Sequence, residues 1–490
     1  MVVHNSSRQD AADRQPLFGT DGIRGVAGIY PLDERTIFAC GFSLVEILRK
    51  QLQRPPRLLI GRDTRESGPW IETVCSQGVL AAGGCVSSAG IITTPGVAYL
   101  TRTNGFDAGI VVSASHNVYH DNGIKIFSSA GTKLDDQTEK ALEEAILCSR
   151  PMPMRAEKPG SLPPLLWADE HLRDEYVRFL VEEVGRGVDL SGWRVALDCA
   201  QGAAYEIAPA VFRRLGADVR AMGIEPTGRN INLDCGSLHP ERLQQLVRDS
   251  GCDLGIAFDG DADRALFVGR EGEIFDGDCV LFVLAHYLDN RQQLRGRIVV
   301  GTEMTNAGLE QALVRRHIRL VRTRVGDRYV LEKLMELDAS LGGEPSGHII
   351  LSDVSLAGDG LITALAVLRV MIETGADLPG LLQGFERYPQ KLINVPVQAK
   401  PPLETIPEVV ATVERLRREL GARGRIVLRY SGTENLARVM VEADEDAKAN
   451  FFAEQLADVL RRHLGDNRPS TQAEVSPEEV NTDVTTEGRG

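Results

Sequence analysis

The chain alternates between short apolar runs and longer stretches whose apolar residues recur every three or four positions. Five runs have the length and apolar content of buried strands: residues 57–60, 109–112, 194–197, 254–258 and 297–300. Two stretches near the carboxyl end, 409–420 and 452–463, place their apolar residues on one helical face, and Gly465 ends the second. Strands that alternate with helices predict an α/β fold with mainly parallel sheets, in which ligand-binding residues follow the carboxyl ends of strands.

Polar segments at both ends and a proline-rich segment divide the chain. Residues 1–16 and 466–490 have too little apolar surface to offset the entropy of ordering, so we expect both to be disordered tails. Residues 151–164 carry five prolines and predict a linker after a first domain. The length of 490 residues predicts three or four domains.

Composition and charge narrow the class of protein. The 55 basic and 69 acidic residues give a net charge of −14, which repels nucleic-acid backbones and anionic lipids, so we expect neither as a partner. No secretory signal is expected, and the apolar stretch 361–372 is too short to cross a bilayer. The eight cysteines form no CxxC pair, which predicts reduced thiols, used as small core residues, in a cytoplasmic protein.

The acidic loop Asp259-Gly260-Asp261-Ala262-Asp263-Arg264 lies between two predicted strands. Alternate residues of an extended loop point the same way, so we expect its three carboxylates to converge. Their mutual repulsion favours a hard divalent cation such as Mg²⁺. An EF-hand is excluded, because Arg264 and Arg270 stand where it needs Gly and Glu. A solvated acidic turn is the alternative.

Two loops each carry a serine hydroxyl that could take part in chemistry. One loop directly follows a predicted strand, and the other is flanked by glycines. Ser113-Ala114-Ser115-His116-Asn117 follows the strand 109–112, and its serine could be a nucleophile, a phosphorylation site or only a turn former. No GxSxG motif supports a hydrolase triad. In the loop 342–348, Glu344, Ser346 and His348 suit sugar hydroxyls, although a flexible loop is equally compatible with this pattern.

Two further loops carry arginine among small residues. Arg429-Tyr430-Ser431-Gly432-Thr433-Glu434 combines a guanidinium fork with hydroxyl and backbone N–H donors, which suits a phosphate, although a simple turn is the alternative. No Walker A motif occurs, so a P-loop nucleotide site is not expected. The glycine-rich segment 19–25 is interpreted as a close-approach loop that delivers Arg24 to a site.

Taken in this order, the motifs resemble those of the α-D-phosphohexomutase family. Similarity extends from about residue 17 to 464 and includes Gly326-Asp327-Arg328-Tyr329. The resemblance implies four domains around a central active-site cleft, three of them α/β with mixed, mainly parallel sheets and the fourth a smaller C-terminal α+β domain. We expect these domains at residues 17–167, 168–270, 271–388 and 389–465.

The resemblance also implies roles for individual residues. Ser115 would carry a phosphoryl group, and one Mg²⁺ per subunit would bind that phosphate together with Asp259, Asp261 and Asp263. Sugar contacts would come from Glu344, Ser346, His348 and Asp327. The substrate's own phosphate would bind Arg429, Ser431, Gly432, Thr433 and Arg438. The members that the motifs resemble most interconvert glucosamine 6-phosphate and glucosamine 1-phosphate, for UDP-N-acetylglucosamine and cell-wall synthesis.

The implied chemistry is phosphoryl transfer from Ser115 to the sugar phosphate through a 1,6-bisphosphate, with a bisphosphorylated sugar as primer. A serine phosphate adds about −1.5 to −2 charges beside three carboxylates. We therefore expect positive charge from four residues, of which Lys125 is also the candidate general base: Arg24, His116, Lys125 and Arg264.

Three alternatives remain at this point. Pro345 stands where glucosamine enzymes of the family usually have Gln, so a phosphomannomutase or phosphoglucomutase is the first. A metal-dependent phosphatase would release inorganic phosphate, whereas a silent sugar-phosphate-binding protein would have lost Ser115 or a metal ligand. The expected partner is a small-molecule sugar phosphate, and the protein could be a monomer or a homodimer.

Overall fold

The computed structural model describes residues 17–19, 21–149, 166–431 and 435–465. The chain forms two compact units that divide between Arg387 and Tyr388. The expected tails and the proline-rich linker lie outside the described residues, so their disorder stays a prediction.

The first sheet of the larger unit carries the Ser115 loop. Its strands are β1 (Ile23–Val26), β2 (Arg57–Arg62), β3 (Cys85–Ile91), β4 (Ala108–Val112) and β5 (Asp121–Ser128), in the order β1-β5-β4-β2-β3. The strands β3, β2 and β4 are parallel, whereas β5 and β1 run antiparallel to their neighbours. Its helices are α1 (Glu34–Leu52), α2 (Gly68–Ala81), α3 (Thr94–Thr103) and α4 (Asp136–Cys148). Leu58 and Ile60 pack with α1 and α2, and Leu59 packs with α3, so both faces of the sheet are covered.

The second sheet carries the acidic loop. It is built from α5 (Glu170–Arg178), a π-helical turn (Phe179–Val184), β6 (Arg194–Asp198), α6 (Ile207–Arg214), β7 (Asp218–Met222), α7 (Glu241–Ser250), β8 (Leu254–Phe258), β9 (Ala265–Val268) and β10 (Ile274–Phe275). The strand order is β10-β9-β8-β6-β7, with β7, β6 and β8 parallel. The acidic loop joins β8 to its antiparallel neighbour β9.

The third sheet carries the loop with Glu344 and His348. Its elements are α8 (Gly277–Asn290), β11 (Ile298–Thr302), α9 (Ala307–Val314), β12 (Arg319–Thr323), α10 (Asp327–Glu336), β13 (Leu341–Gly343), β14 (Ile349–Leu351), α11 (Gly360–Thr374) and α12 (Leu378–Leu381). The strand order is β12-β11-β13-β14, and only β14 is antiparallel. One continuous core joins the three sheets of this unit, with Leu59, Leu197 and Val299 as members from each.

The smaller unit is an antiparallel sheet covered by two helices. Its elements are β15 (Gln390–Pro396), α13 (Pro407–Leu420), β16 (Gly424–Tyr430), β17 (Leu436–Ala443) and α14 (Asp446–Leu464), with the strand order β15-β17-β16. Val439 and Val441 of the central strand pack against Leu416 and Leu456 of the two helices.

The predicted fold class is confirmed: three α/β sheets of mixed, mainly parallel character precede a smaller α+β unit. All five predicted strands form, although the last begins at Ile298 rather than at residue 297. The stretch 361–372 lies in α11, and no described helix is long and apolar enough to span a membrane. The expectation of core cysteines is wrong for two of the eight, because Cys85 and Cys148 are exposed.

Candidate active site

Ser115 lies in the loop after β4, with its side chain directed at the acidic loop. Its hydroxyl donates to Asp259 Oδ2 at 2.6 Å, and the residue is 1% exposed. The backbone of Ser115 is left-handed, with φ of 51°. This conformation costs about 1–3 kcal/mol for a residue other than glycine, so the surrounding structure must impose it.

Arg65, which the sequence did not single out, holds the Ser115 loop together with Asn232, which belongs to the segment 230–232 that also resembles the family. The guanidinium of Arg65, which is fully buried, donates to the backbone carbonyls of Ser115 at 2.9 Å and Asn117 at 2.8 Å. The side chain of Asn232 donates to the same two carbonyls at 2.9 and 2.8 Å. Asp63 forms an ion pair with Arg65 at 2.9 Å. The available signal was Gly61-Arg62-Asp63-Thr64-Arg65, a charged segment at the carboxyl end of a buried strand.

Asp259, Asp261 and Asp263 are buried, and one oxygen from each lies within 4.8 Å of the others. The loop is not extended as expected. A turn closes it instead, because Ala262 adopts φ of 56° and its N–H donates to Asp259 O at 3.0 Å. The loop also lies against the Ser115 loop, since a Cβ on Gly260 would stand 2.5 Å from Ser115 O. This close approach therefore requires glycine at position 260, between the first two aspartates.

A divalent cation fits this donor set. Burial, together with Asp263 and Asp261, raises the pKa of Asp259 well above its usual range. Asp261 Oδ1 and Asp263 Oδ1 are buried and have no hydrogen-bond partner among the described residues. Buried carboxylate oxygens rarely lack a partner, and a hard cation would both bind them and relieve the repulsion.

Lys125 on β5 is the cation nearest to the carboxylates. Its buried ammonium donates to Asp261 Oδ2 at 2.8 Å and lies 3.1 Å from Asp21 Oδ2 and 3.7 Å from Asp263 Oδ2. Burial lowers the pKa of Lys125, but Asp21 and Asp261 outweigh it and hold that pKa above its ordinary value. A general base needs a lowered pKa, so these carboxylates do not favour that role, and Lys125 as general base stays a prediction. This environment suits a fixed positive charge.

Two guanidinium groups, those of Arg24 and Arg264, lie near the carboxylates and the ring of His116. Arg24 pairs with Asp21, and Arg264 Nε lies 3.7 Å from Asp263 Oδ1. Burial and the two nearby guanidinium groups lower the pKa of His116 to about 4. These surroundings favour the neutral ring, and the expectation that His116 supplies positive charge beside a phosphorylated Ser115 stays a prediction.

The loop between β13 and β14 carries Glu344, Ser346 and His348. It belongs to the larger unit, which also contains Ser115. Glu344 accepts from the Gly326 N–H at 3.0 Å, and Gly347 O accepts from the Ala265 N–H of β9 at 3.1 Å. His348 Nδ1 lies 3.7 Å from Asp263 Oδ2 and His348 Nε2 lies 3.8 Å from Asp327 Oδ2. Burial lowers the pKa of His348, but the two carboxylates outweigh it and raise it to about 9, so the ring is charged.

Ser346 and Asp327 complete the predicted sugar residues. Ser346 Oγ is buried without a hydrogen-bond partner in the described part of the chain, as expected of a group that a ligand would satisfy. Asp327 begins α10 and accepts from Lys133, a lysine that the sequence did not single out, at 2.8 Å.

The predicted phosphate loop lies in the smaller unit. Arg429 of β16 and Arg438 of β17 lie directly opposite each other in the antiparallel pair of strands. By contrast, Arg425 of β16 lies opposite an acidic residue, Glu442. Like charges in directly opposite positions are unfavourable, and an anion bound between them would relieve the repulsion. Arg438 donates to Ser431 Oγ at 3.4 Å, and Lys400, also missed, donates to Ser431 O at 2.8 Å. Gly432 and Thr433 lie outside the described residues.

Comparison with known proteins identifies relatives along nearly the whole chain. Four models of phosphoglucomutase/phosphomannomutase match: the alpha/beta/alpha domains I, II and III at residues 15–150, 174–272 and 276–388, and the C-terminal domain at 392–459. A phosphoglucosamine mutase of Koribacter versatilis is 49% identical over 92% of this chain and 97% of its own. One from Solibacter usitatus is 47% identical over 92% and 99%.

Solved structures share the fold. A phosphoglucomutase/phosphomannomutase family protein of Burkholderia thailandensis aligns with a TM-score of 0.72 at 23% identity, covering 90% of this chain and 97% of its own. A putative phosphomannomutase from Thermus thermophilus aligns with a TM-score of 0.71 at 21% identity, covering 91% and 99%.

Proposed function

Since this chain belongs to the phosphoglucomutase/phosphomannomutase family, we propose that it is a phosphoglucosamine mutase, an isomerase that interconverts glucosamine 6-phosphate and glucosamine 1-phosphate. The observation that carries the proposal is the 2.6 Å hydrogen bond from Ser115 Oγ to Asp259 Oδ2, which brings one hydroxyl to a group of three carboxylates. The choice of glucosamine rests on the relatives at 47–49% identity.

In the proposed reaction, the phosphoryl group of phosphorylated Ser115 passes to the free hydroxyl of the bound sugar phosphate. The Oγ–P bond of the serine breaks, a sugar O–P bond forms, and the hydroxyl proton is passed on to Ser115 Oγ. The 1,6-bisphosphate then turns round and returns its other phosphoryl group to Ser115. A bisphosphorylated sugar would prime enzyme that has lost its serine phosphate.

The residues around Ser115 would compensate the charge that the transfer moves. Asp259, Asp261, Asp263 and the serine phosphate would hold Mg²⁺, which supplies Lewis-acid stabilisation of the phosphoryl oxygens. Lys125, Arg24, Arg264 and His116 would supply positive charge as the transfer proceeds, and Lys125 is also the candidate general base.

The remaining assignments form part of the same proposal. Sugar hydroxyls would contact Glu344, Ser346, His348 and Asp327. The substrate's phosphate would bind Arg429, Ser431, Gly432, Thr433 and Arg438. The domains would span 17–167, 168–270, 271–388 and 389–465. Its free thiols support a place in the cytoplasm, and its net charge of −14 argues against a nucleic-acid partner. The proposed state is a monomer or a homodimer.

The test compares glucosamine, glucose and mannose 6-phosphates with enzyme primed by glucose 1,6-bisphosphate. We expect glucosamine 6-phosphate to have the highest kcat/KM and Ser115→Ala to abolish isomerisation while the folded state is retained. Intact mass should show a phosphoryl group on wild-type protein and none on the variant. Preference for another hexose phosphate would overturn the choice of glucosamine. Release of inorganic phosphate without isomerisation would indicate a phosphatase instead.

A further inference from the structure

The ammonium of Lys133 lies between two carboxylates that belong to distant parts of the larger unit. Lys133 Nζ donates to Asp21 Oδ1 at 2.5 Å and to Asp327 Oδ1 at 2.8 Å. The lysine side chain is 13% exposed, and those of the two aspartates are 23% and 21% exposed. One cation thus connects the loop before β1 with the first residue of α10.

The chain holds Lys133 in a fixed position relative to Lys125. After β5, a turn closed by the Ser128 N–H on Thr132 O at 2.7 Å reverses the chain, and Lys133 then pairs with Phe127 as an antiparallel bridge. The same strand carries Lys125. Lys133 is therefore built into the sheet edge and is not a long side chain on a free loop.

Each carboxylate that Lys133 binds contacts groups of the proposed active site. Asp21 pairs with Arg24 and lies 3.1 Å from Lys125, both proposed to compensate charge during transfer. Asp327 lies 3.8 Å from His348, and the adjacent Gly326 N–H donates to Glu344, both proposed to bind the sugar. Among the described residues, Lys133 itself forms no hydrogen bond or ion pair with any of these four residues.

We propose that Lys133 is a positioning residue, which holds Asp21 and Asp327 together and so fixes the transfer groups relative to the sugar-binding groups. This inference rests on the proposed function. Without the ammonium, two carboxylates at hydrogen-bond distance from one point repel each other in a largely buried place. A displacement of about 1 Å between reacting groups can reduce a rate on the order of 100-fold.

Arg328 provides a matched control at the same boundary. It also connects α10 to the first sheet's elements, through Glu139 at 2.8 Å and Asp136 at 2.6 Å on α4. Its side chain is 12% exposed, close to the 13% of Lys133. In the part of the chain that the structure describes, none of its three ion-pair partners forms a hydrogen bond or ion pair with a residue of the proposed site. Loss of either cation weakens this boundary, but only loss of Lys133 removes the contact that joins Asp21 to Asp327.

The experiment measures kcat and KM for glucosamine 6-phosphate, and melting temperature, for wild type, Lys133→Met, Lys133→Gln, Lys133→Arg and Arg328→Met. We expect Lys133→Met to lower kcat at least about tenfold. KM should change by a smaller factor, because Asp327 is one of four proposed sugar contacts and the phosphate loop is untouched. Lys133→Arg should recover much of kcat, and Arg328→Met should lower the melting temperature without this loss of kcat. If Lys133→Met does not fold, Lys133→Gln carries the test, since its amide can still bridge the carboxylates but lacks the charge.

Equal effects of the Lys133 and Arg328 variants on kcat, or a rise in KM alone, would overturn the positioning role. A failure of the proposed function is recognised separately, because wild type would then not isomerise glucosamine 6-phosphate. In that case, the rate at which glucose 1,6-bisphosphate phosphorylates Ser115, measured by intact mass, replaces kcat as the quantity compared. An unchanged rate in Lys133→Met would again contradict the inference.

Discussion

At the scale of single residues, the surroundings shift the pKa values of two histidines of the site in opposite directions. The guanidinium groups of Arg264 and Arg24 help burial to lower the pKa of His116 to about 4. The carboxylates of Asp263 and Asp327 overcome burial and raise the pKa of His348 to about 9. These surroundings favour the neutral form of one ring and the charged form of the other at pH 7, although both histidines lie in polar loops between strands.

At this scale the acidic loop allows a direct test of the metal. Chelation should stop turnover and Mg²⁺ should restore it, because three buried carboxylates without a cation repel each other. Asp261→Asn should weaken Mg²⁺ binding about 10- to 100-fold, the equivalent of a charged contact of about 1.5–3 kcal/mol. Titration calorimetry with Mg²⁺ measures this, with Asp218→Asn, an exposed aspartate paired with Arg220, as the control. Full activity after exhaustive chelation would exclude a metal-dependent mechanism.

At the scale of elements, the hydrophobic pattern predicts the strands well and the contacts between their loops only in part. The rule that ligand groups follow strand ends led to Ser115 after β4 and to the three aspartates after β8. It could not identify Lys133, which follows a turn after the antiparallel strand β5. Lys133 binds Asp327, which lies 194 positions further along the chain. The closure of the acidic loop by a left-handed Ala262 likewise depends on tertiary packing, which the local sequence does not encode.

The approach of β1 to β5 predicts a glycine requirement that can be measured. Gly22 has φ of 81°, and a Cβ there would lie 2.3 Å from Ile124 O, next to Lys125. Gly187 has the same φ of 81° but nothing within 4 Å of its Cβ position. Gly187→Ala should therefore cost only the backbone strain of about 1–2 kcal/mol, whereas Gly22→Ala adds a clash with backbone and should cost about 2–5 kcal/mol.

Urea unfolding midpoints of the two glycine variants measure this difference, and kcat provides a second comparison. Gly22→Ala should also reduce kcat, because the strand it displaces carries Arg24. Equal destabilisation by the two substitutions would show that the strands separate without cost at Gly22.

At the scale of the whole molecule, the two proposed phosphate functions belong to different compact units. The larger unit contains Ser115, the carboxylates and the cations proposed for transfer, and the smaller unit contains the facing arginines Arg429 and Arg438. The overall charge of −14 makes such local basic groups necessary for any anionic substrate. Family models that match 15–150 through 392–459 place both units in the same enzyme family.

This division predicts that binding and transfer can be impaired separately. A mutase must hold the 6-phosphate in one orientation of the sugar and the 1-phosphate in the other, and one phosphate loop would serve both. Arg429→Ala removes a charge-assisted contact of about 1.5–3 kcal/mol, so affinity for glucosamine 6-phosphate and glucosamine 1-phosphate should fall about 10- to 100-fold alike. Phosphorylation of Ser115 by saturating glucose 1,6-bisphosphate should survive in part, since its reacting groups belong to the larger unit.

Arg423→Ala, at an exposed arginine paired with Asp444, is the control and should leave both affinities unchanged. Impaired binding of only one of the two monophosphates would mean that they do not share the loop, and reorientation of the bisphosphate would then have to be abandoned.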